Sequence, residues 1–138
     1  MNELEARRQD MKAAILETLE DIDGRSFAEL DQALRGHFEI DGEVALCYQG
    51  NDTIVLWVNM SEAYFLAFSE LMHERRIYIR NTNFMVYKID GLVPGIPVAK
   101  SWNRVYKQPH WMPVVVHLMT AGKEKEFAGR TEMNTRRK

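Results

Sequence analysis

The sequence predicts a mixed α+β domain: three helices, two β-hairpins and a C-terminal proline-rich extended wrap. Three observations predict it. Apolar residues recur at intervals of three, four or seven from Leu4 to Ile22 and of three and four from Phe27 to Leu34, which is the helical period. The spacing changes to alternation at Val44, returns to the helical period after Ser61 and changes again at Ile77. Pro94, Pro97, Pro109 and Pro113, the four prolines of the chain, then exclude a regular helix and disfavour central strands around them.

Taken in order, the first helix spans about residues 2–22, with Leu4, Met11, Ile15, Leu19 and Ile22 on one stripe. Asp23-Gly24 ends it. Ser26, with Glu29 three residues on, forms a capping box for a second helix whose apolar face is Phe27, Leu30 and Leu34 and whose stop is Gly36. Val44, Leu46 and Tyr48 alternate up to a turn at Gln49-Gly50-Asn51-Asp52, and Thr53 to Val58 returns as a strand covered on both faces. Ser61 is the N-cap of a third helix through Glu74, with Phe65, Phe68 and Met72 in the core and Tyr64 and Leu71 widening that face. A second hairpin is expected from Ile77–Arg80, a turn at Asn81-Thr82-Asn83, and Phe84–Ile89. From about residue 92 an extended wrap follows, with Val114–Leu118 as a last short strand. Residues 1–120 thus form a single domain, and 121–138 read as a mobile basic tail.

Composition narrows the function classes. The 138 residues are 46% hydrophobic and 28% charged, as in an ordinary globular domain. Apolar runs such as Ile54–Val58 are far short of a membrane span, and the charged N-terminus lacks the apolar core of a signal peptide. The lone Cys47 excludes an internal disulfide framework; a cytoplasmic protein without membrane contact is expected.

The net charge of −2 conceals a division. Residues 1–74 carry 16 acidic and 5 basic side chains, and residues 75–138 carry 4 and 13. From Arg75 to Lys107 seven basic residues face a single acidic one, Asp90. Such segregation suits an anionic ligand or a self-complementary surface, unless the two halves neutralise one another within the fold.

Catalytic and cofactor signatures are absent: there is no glycine-rich phosphate loop, no His-Glu-x-x-His, no Cys-x-x-Cys and no nucleophile elbow. No enzyme, cofactor or metal is therefore expected. Glu70-x-x-His73 is the one helical ligand spacing, and a dimetal site requires two such motifs and further carboxylates. His37, His110 and His117 are scattered, and Cys47 reads as a core thiol.

Residues 15–34, 60–76 and 77–89, in that order, resemble the winged-helix branch of the helix-turn-helix proteins. The stretch Leu66-Ala-Phe-Ser-Glu-Leu-Met-His-Glu-Arg-Arg-Ile77 is similar to a third helix feeding the first strand of a wing. Residues 37–60, with their hairpin, are a departure from the short turn usual between the second and third helices. The resemblance implies a DNA-binding regulator or accessory factor. In such proteins the third helix enters the major groove, but here it carries Glu62, Glu70 and Glu74 and neither Lys nor Arg. The expected phosphate contacts are therefore Arg75, Arg76, Arg80 and Lys88 of the wing, with Lys100, Arg104 and Lys107 interleaved among Trp102, Tyr106 and Trp111. The alternative expectation is a protein-interaction module on the same scaffold, pairing with another protein or with itself as a homodimer.

Overall fold

The computed structural model describes residues 2–120 and 122–123. Helix α1 is Glu3–Asp21; Asn2 caps it by accepting from Glu5 N at 2.8 Å, and Glu3 and Glu5 suit the positive end of its dipole. Met11, Ile15 and Leu19 are buried as expected. Ile22 is not: it is 57% exposed, because the helix stops at Asp21 and Gly24, at φ +78°, turns the chain away. A two-residue strand β1, Arg25–Ser26, follows. Helix α2, Phe27–Arg35, opens with the expected capping box: Glu29 N donates to Ser26 Oγ at 3.1 Å and Ser26 N to Glu29 Oε1 at 3.0 Å.

The first hairpin forms as predicted from β2, Asp41–Tyr48, and β3, Asn51–Met60. Its start is bulged, with Asp41 and Val44 both opposite Met60. A side chain on Gly42 there would lie 2.5 Å from the Met60 carbonyl oxygen, so only glycine allows the approach. Ile54, Val55, Leu56 and Trp57 are consecutively buried, which confirms a strand covered on both faces. Helix α3, Glu62–His73, is capped by Ser61, which accepts from Tyr64 N at 3.2 Å. Tyr64, Phe68 and Leu71 enter the core, whereas Phe65 and Met72, expected there, are half-buried beside β2.

The second hairpin is corrected. Ile77–Asn81 is a strand, β4, but residues expected as its return form helix α4, Met85–Asp90. Asn83 Oδ1 accepts from Met85 N at 2.9 Å, and Gly91 ends the helix at φ +75°. The apolar and β-branched residues of this stretch fit a strand equally well; the long-range contact of Tyr87 with Phe27 decides for a helix. The antiparallel partner of β4 is instead β6, Val114–Leu118, beyond the wrap. The described residues therefore hold four helices, not three, and two three-stranded sheets, ordered β1–β6–β4 and β2–β3–β5. In the second sheet β5, His110–Trp111, lies parallel to β3.

The expected wrap is present and is fastened by its backbone. Ala99 N donates to Trp111 O and Trp111 N to Pro97 O, both at 2.7 Å, while Met112 N donates to Val55 O at 2.9 Å. Of the expected tail, only Gly122 and Lys123 are among the described residues.

The core is aromatic and centres on Trp57. Its ring stacks on Phe27 at 5.5 Å and meets Tyr87 at 5.3 Å and Trp111 at 6.5 Å. Its Nε1–H donates to Asp31 Oδ2 at 3.2 Å, and Tyr64 O–H donates to Asp31 Oδ1 at 2.8 Å. Burial pushes the Asp31 carboxyl above its ordinary range, and these hydrogen bonds offset only part of that. Tyr87 is the inward residue of α4. Its hydroxyl accepts from Phe27 N at 2.9 Å, an unpaired donor of the first turn of α2, and donates to Val114 O in β6.

Tyr87→Phe preserves the ring contacts but strands the buried Phe27 N–H, so unfolding in urea should show a loss of about 1–3 kcal/mol. Phe68→Ala, at a completely buried position, should cost about 3–5 kcal/mol in the same measurement.

A candidate nucleic-acid interface

Each of the five basic residues before Arg75 is taken up by a carboxylate of the same half of the chain. Arg7 pairs with Glu3, Arg25 with Asp21 and Arg35 with Asp41. Lys12 of α1 reaches Glu70 at 3.1 Å and Glu74 at 2.8 Å on α3. Arg8 Nε lies 2.9 Å from Glu70 Oε2, an ion-pair distance without hydrogen-bond alignment. Burial alone would lower the Lys12 pKa, but the hydrogen bonds to Glu74 and Glu70 outweigh it and hold the ammonium above its ordinary value. Glu70 of α3 and Glu74 at its C-cap are thus spent on α1. Glu62 faces solvent.

The second half behaves differently. Arg75, Arg76, Lys88, Lys100, Arg104 and Lys107 are all exposed, and none forms an ion pair among the described residues. For these six described residues, the mutual neutralisation of the two halves that the sequence left open is not found. Asp23 pairs with His117 across the two halves, the histidine for which the sequence offered no partner.

Two of these cations lie just before β4 and the other four on the long connection from β4 to β6. Arg75 and Arg76 form the turn after α3. Arg75 N donates to Met72 O at 3.1 Å and Arg76 N to Leu71 O at 2.9 Å, the paired bonds of a Schellman motif. This puts Arg75 at φ +60°, where glycine is the usual occupant. Arg80 lies further along the edge strand β4, about 13 Å from Arg76 at the rise of an extended chain. Lys88 is on the outer side of α4. Lys100, Arg104 and Lys107 lie on the wrap, which Asn51 secures by donating from Nδ2 to Trp102 O at 3.1 Å and Arg104 O at 2.8 Å.

The aromatic rings between those cations are mostly occupied. Trp111 is buried, Trp102 packs on Tyr48 at 4.6 Å, and Tyr106 stacks on His110 at 3.8 Å with the Arg104 guanidinium 5.4 Å from its centroid. Their first task is to anchor the wrap, which leaves the cations projecting from a rigid surface. On the first sheet, Arg80 lies 5.6 Å from the Tyr78 centroid, Tyr78 stacks on His117 at 5.0 Å, and His117 Nδ1 is 2.9 Å from Asp23 Oδ2. Asp23 Oδ1 accepts from Leu118 N at 2.7 Å. Burial alone would raise the Asp23 pKa; the bonds from His117 and Leu118 reverse that and hold it below its ordinary 3.8.

A concavity of about 590 Å³ separates α3 from β2 and is walled by Leu46, Tyr48, Leu56, Phe65, Leu66 and Met72. Cys47 borders it, with its thiol pKa pushed up by burial and by the Asp52 charge, the reverse of an activated nucleophile.

A lowered folded-state pKa gives stability that is present above the unfolded value near 3.8 and is lost as pH falls through the folded one. The urea midpoint of the wild type should therefore fall between pH 5 and pH 2 more steeply than that of Asp23→Asn. Arg75→Gly should relieve the left-handed residue and raise stability by up to about 1 kcal/mol in urea unfolding. The chain matches no protein-family model, no curated protein and no solved structure.

Proposed function

We propose that this is a nucleic-acid-associated protein of winged-helix type that grips phosphates through the connection between β4 and β6. The observation that carries the reading is the contrast in ion pairing: first-half cations are consumed internally, while six second-half cations are left to solvent. An exposed set of one sign with no internal partner is the electrostatic footprint of a polyanion ligand. The order of elements supports the scaffold. Without the hairpin β2–β3 and residues 82–113, three helices lead into an antiparallel pair of strands, β4 and β6. The wing then is not residues 77–89 but β4 and β6, with α4 and the wrap inserted at its tip. Binding through this connection also accounts for the absence of basic residues on α3.

A second reading, self-association, is favoured by one feature of α4. Met85 and Ile89 point away from the core, Ile89 at 81% exposure, and Leu92 and Val93 continue the apolar surface. In that reading Ile89→Glu converts a dimer to a 16.1 kDa monomer in sedimentation.

The phosphate reading is tested by titrating duplex and single-stranded DNA at rising salt. Five phosphate contacts give a log–log slope of about −4 to −5 on duplex. Lys88→Glu with Lys107→Glu should flatten the slope by about two and weaken all sequences alike, since phosphate contacts carry no base information. Absence of binding to duplex, single strand and RNA at about 50 mM salt defeats it, because phosphate contacts alone give measurable affinity there.

A further inference from the structure

A cleft of about 270 Å³ opens where the end of β4 meets the start of the wrap. It is bordered by Asn81, Asn83, Phe84, Lys100 and Trp102 over a floor that includes buried Met112. Both walls are fixed by backbone bonds: Thr82 N donates to Pro113 O at 2.9 Å, and Ala99 N to Trp111 O at 2.7 Å. Phe84 is 42% exposed, an unusual position for a phenylalanine with nothing stacked on it among the described residues.

The polar groups at this cleft have unused capacity. Asn83 Oδ1 is occupied by Met85 N, while its Nδ2 has no partner among the described residues. The side-chain amide of Asn81 has none either, and the Lys100 ammonium is unpaired. A flat aromatic wall, amide groups able to pair with a ring edge, and a cation at the mouth are together the requirements of an unstacked nucleobase with its phosphate. The volume lies just below the range of sites for larger organic ligands, which suits one base rather than a base pair or dinucleotide.

We propose that this cleft takes a single unpaired base of a nucleic-acid strand, stacked on Phe84 and held at its edge by Asn81 and Asn83, with Lys100 on the adjoining phosphate. The inference rests on the phosphate-binding reading and adds a preference for single-stranded segments. Base stacking and amide pairing are available in both DNA and RNA, so the shared ligand is the base itself.

The test compares a single-stranded DNA oligonucleotide, the RNA of the same sequence and the corresponding duplex, each titrated at one salt concentration. The expected result is tighter binding of both single strands than of the duplex. Phe84→Ala should weaken the single strands about tenfold, the scale of one lost stacking contact, and leave the duplex affinity, its salt slope and the melting temperature unchanged. Phe84→Tyr should restore the single strands. Trp102 fluorescence should be quenched by the strands in the wild type and not in Phe84→Ala, with Trp102→Phe marking that signal. Binding of single strand and duplex with equal affinity, indifferent to Phe84→Ala, overturns the cleft and leaves the phosphate surface standing. Binding of none of the three overturns both.

Discussion

One hydroxyl group determines where the basic surface can be. Tyr87 O–H bridges the first amide of α2 and the first carbonyl of β6, and its ring lies against Trp57 and, edge-on at 4.9 Å, against Trp111. A helix of six residues has no stability of its own. α4 exists because this side chain completes a core that would otherwise contain an unsatisfied donor. With α4 fixed, the chain leaves β4 and re-enters at β6 along a defined path. The cations on that path then sit on a scaffold rather than on a loose loop.

The polar groups of the interior have a complementary task. Asp31 of α2 collects two donors, from Trp57 of β3 and Tyr64 of α3, and so ties the first hairpin to both helices. Lys12 with Glu70 and Glu74 does the same for α1 and α3 at the edge of the core. Such contacts add directional constraint to a core that dispersion alone would leave free to slide. They also engage Glu70 and Glu74, which changes what the end of α3 presents to solvent.

Local rules were readable where the relevant partners were local. The capping box at Ser26 and Glu29, the turn of the first hairpin and the cap at Ser61 all depend on residues within a few positions of each other, and each is found as predicted. The stretch Phe84–Ile89 misled because its alternation fits a strand and a short helix alike; what decides is Tyr87 meeting Phe27, sixty residues earlier. Among the candidate cations, residue types identified who is charged, but not who is paired. Lys12 and Glu70 are 58 positions apart, and His117 and Asp23 are 94 apart. The cleft was invisible for the same reason, since Phe84 and Trp102 become neighbours only through the wrap.

The strand order β1–β6–β4 has a further consequence for how the chain comes to its fold. The central strand of that sheet is the last one made, and its partners were laid down far earlier, Arg25 opposite Val116 and Ile77 opposite Leu118. In the finished sheet neither edge strand pairs with the other. During synthesis the helices and the first hairpin can assemble from local contacts, while β1 and β4 wait with open hydrogen-bonding edges until residue 118 has cleared the ribosome. Such long-range closure slows folding and exposes strand edges to other chains. Arg75, Arg76 and Arg80, flanking and lying on one of those edges, give the nascent chain a charge that discourages premature strand pairing.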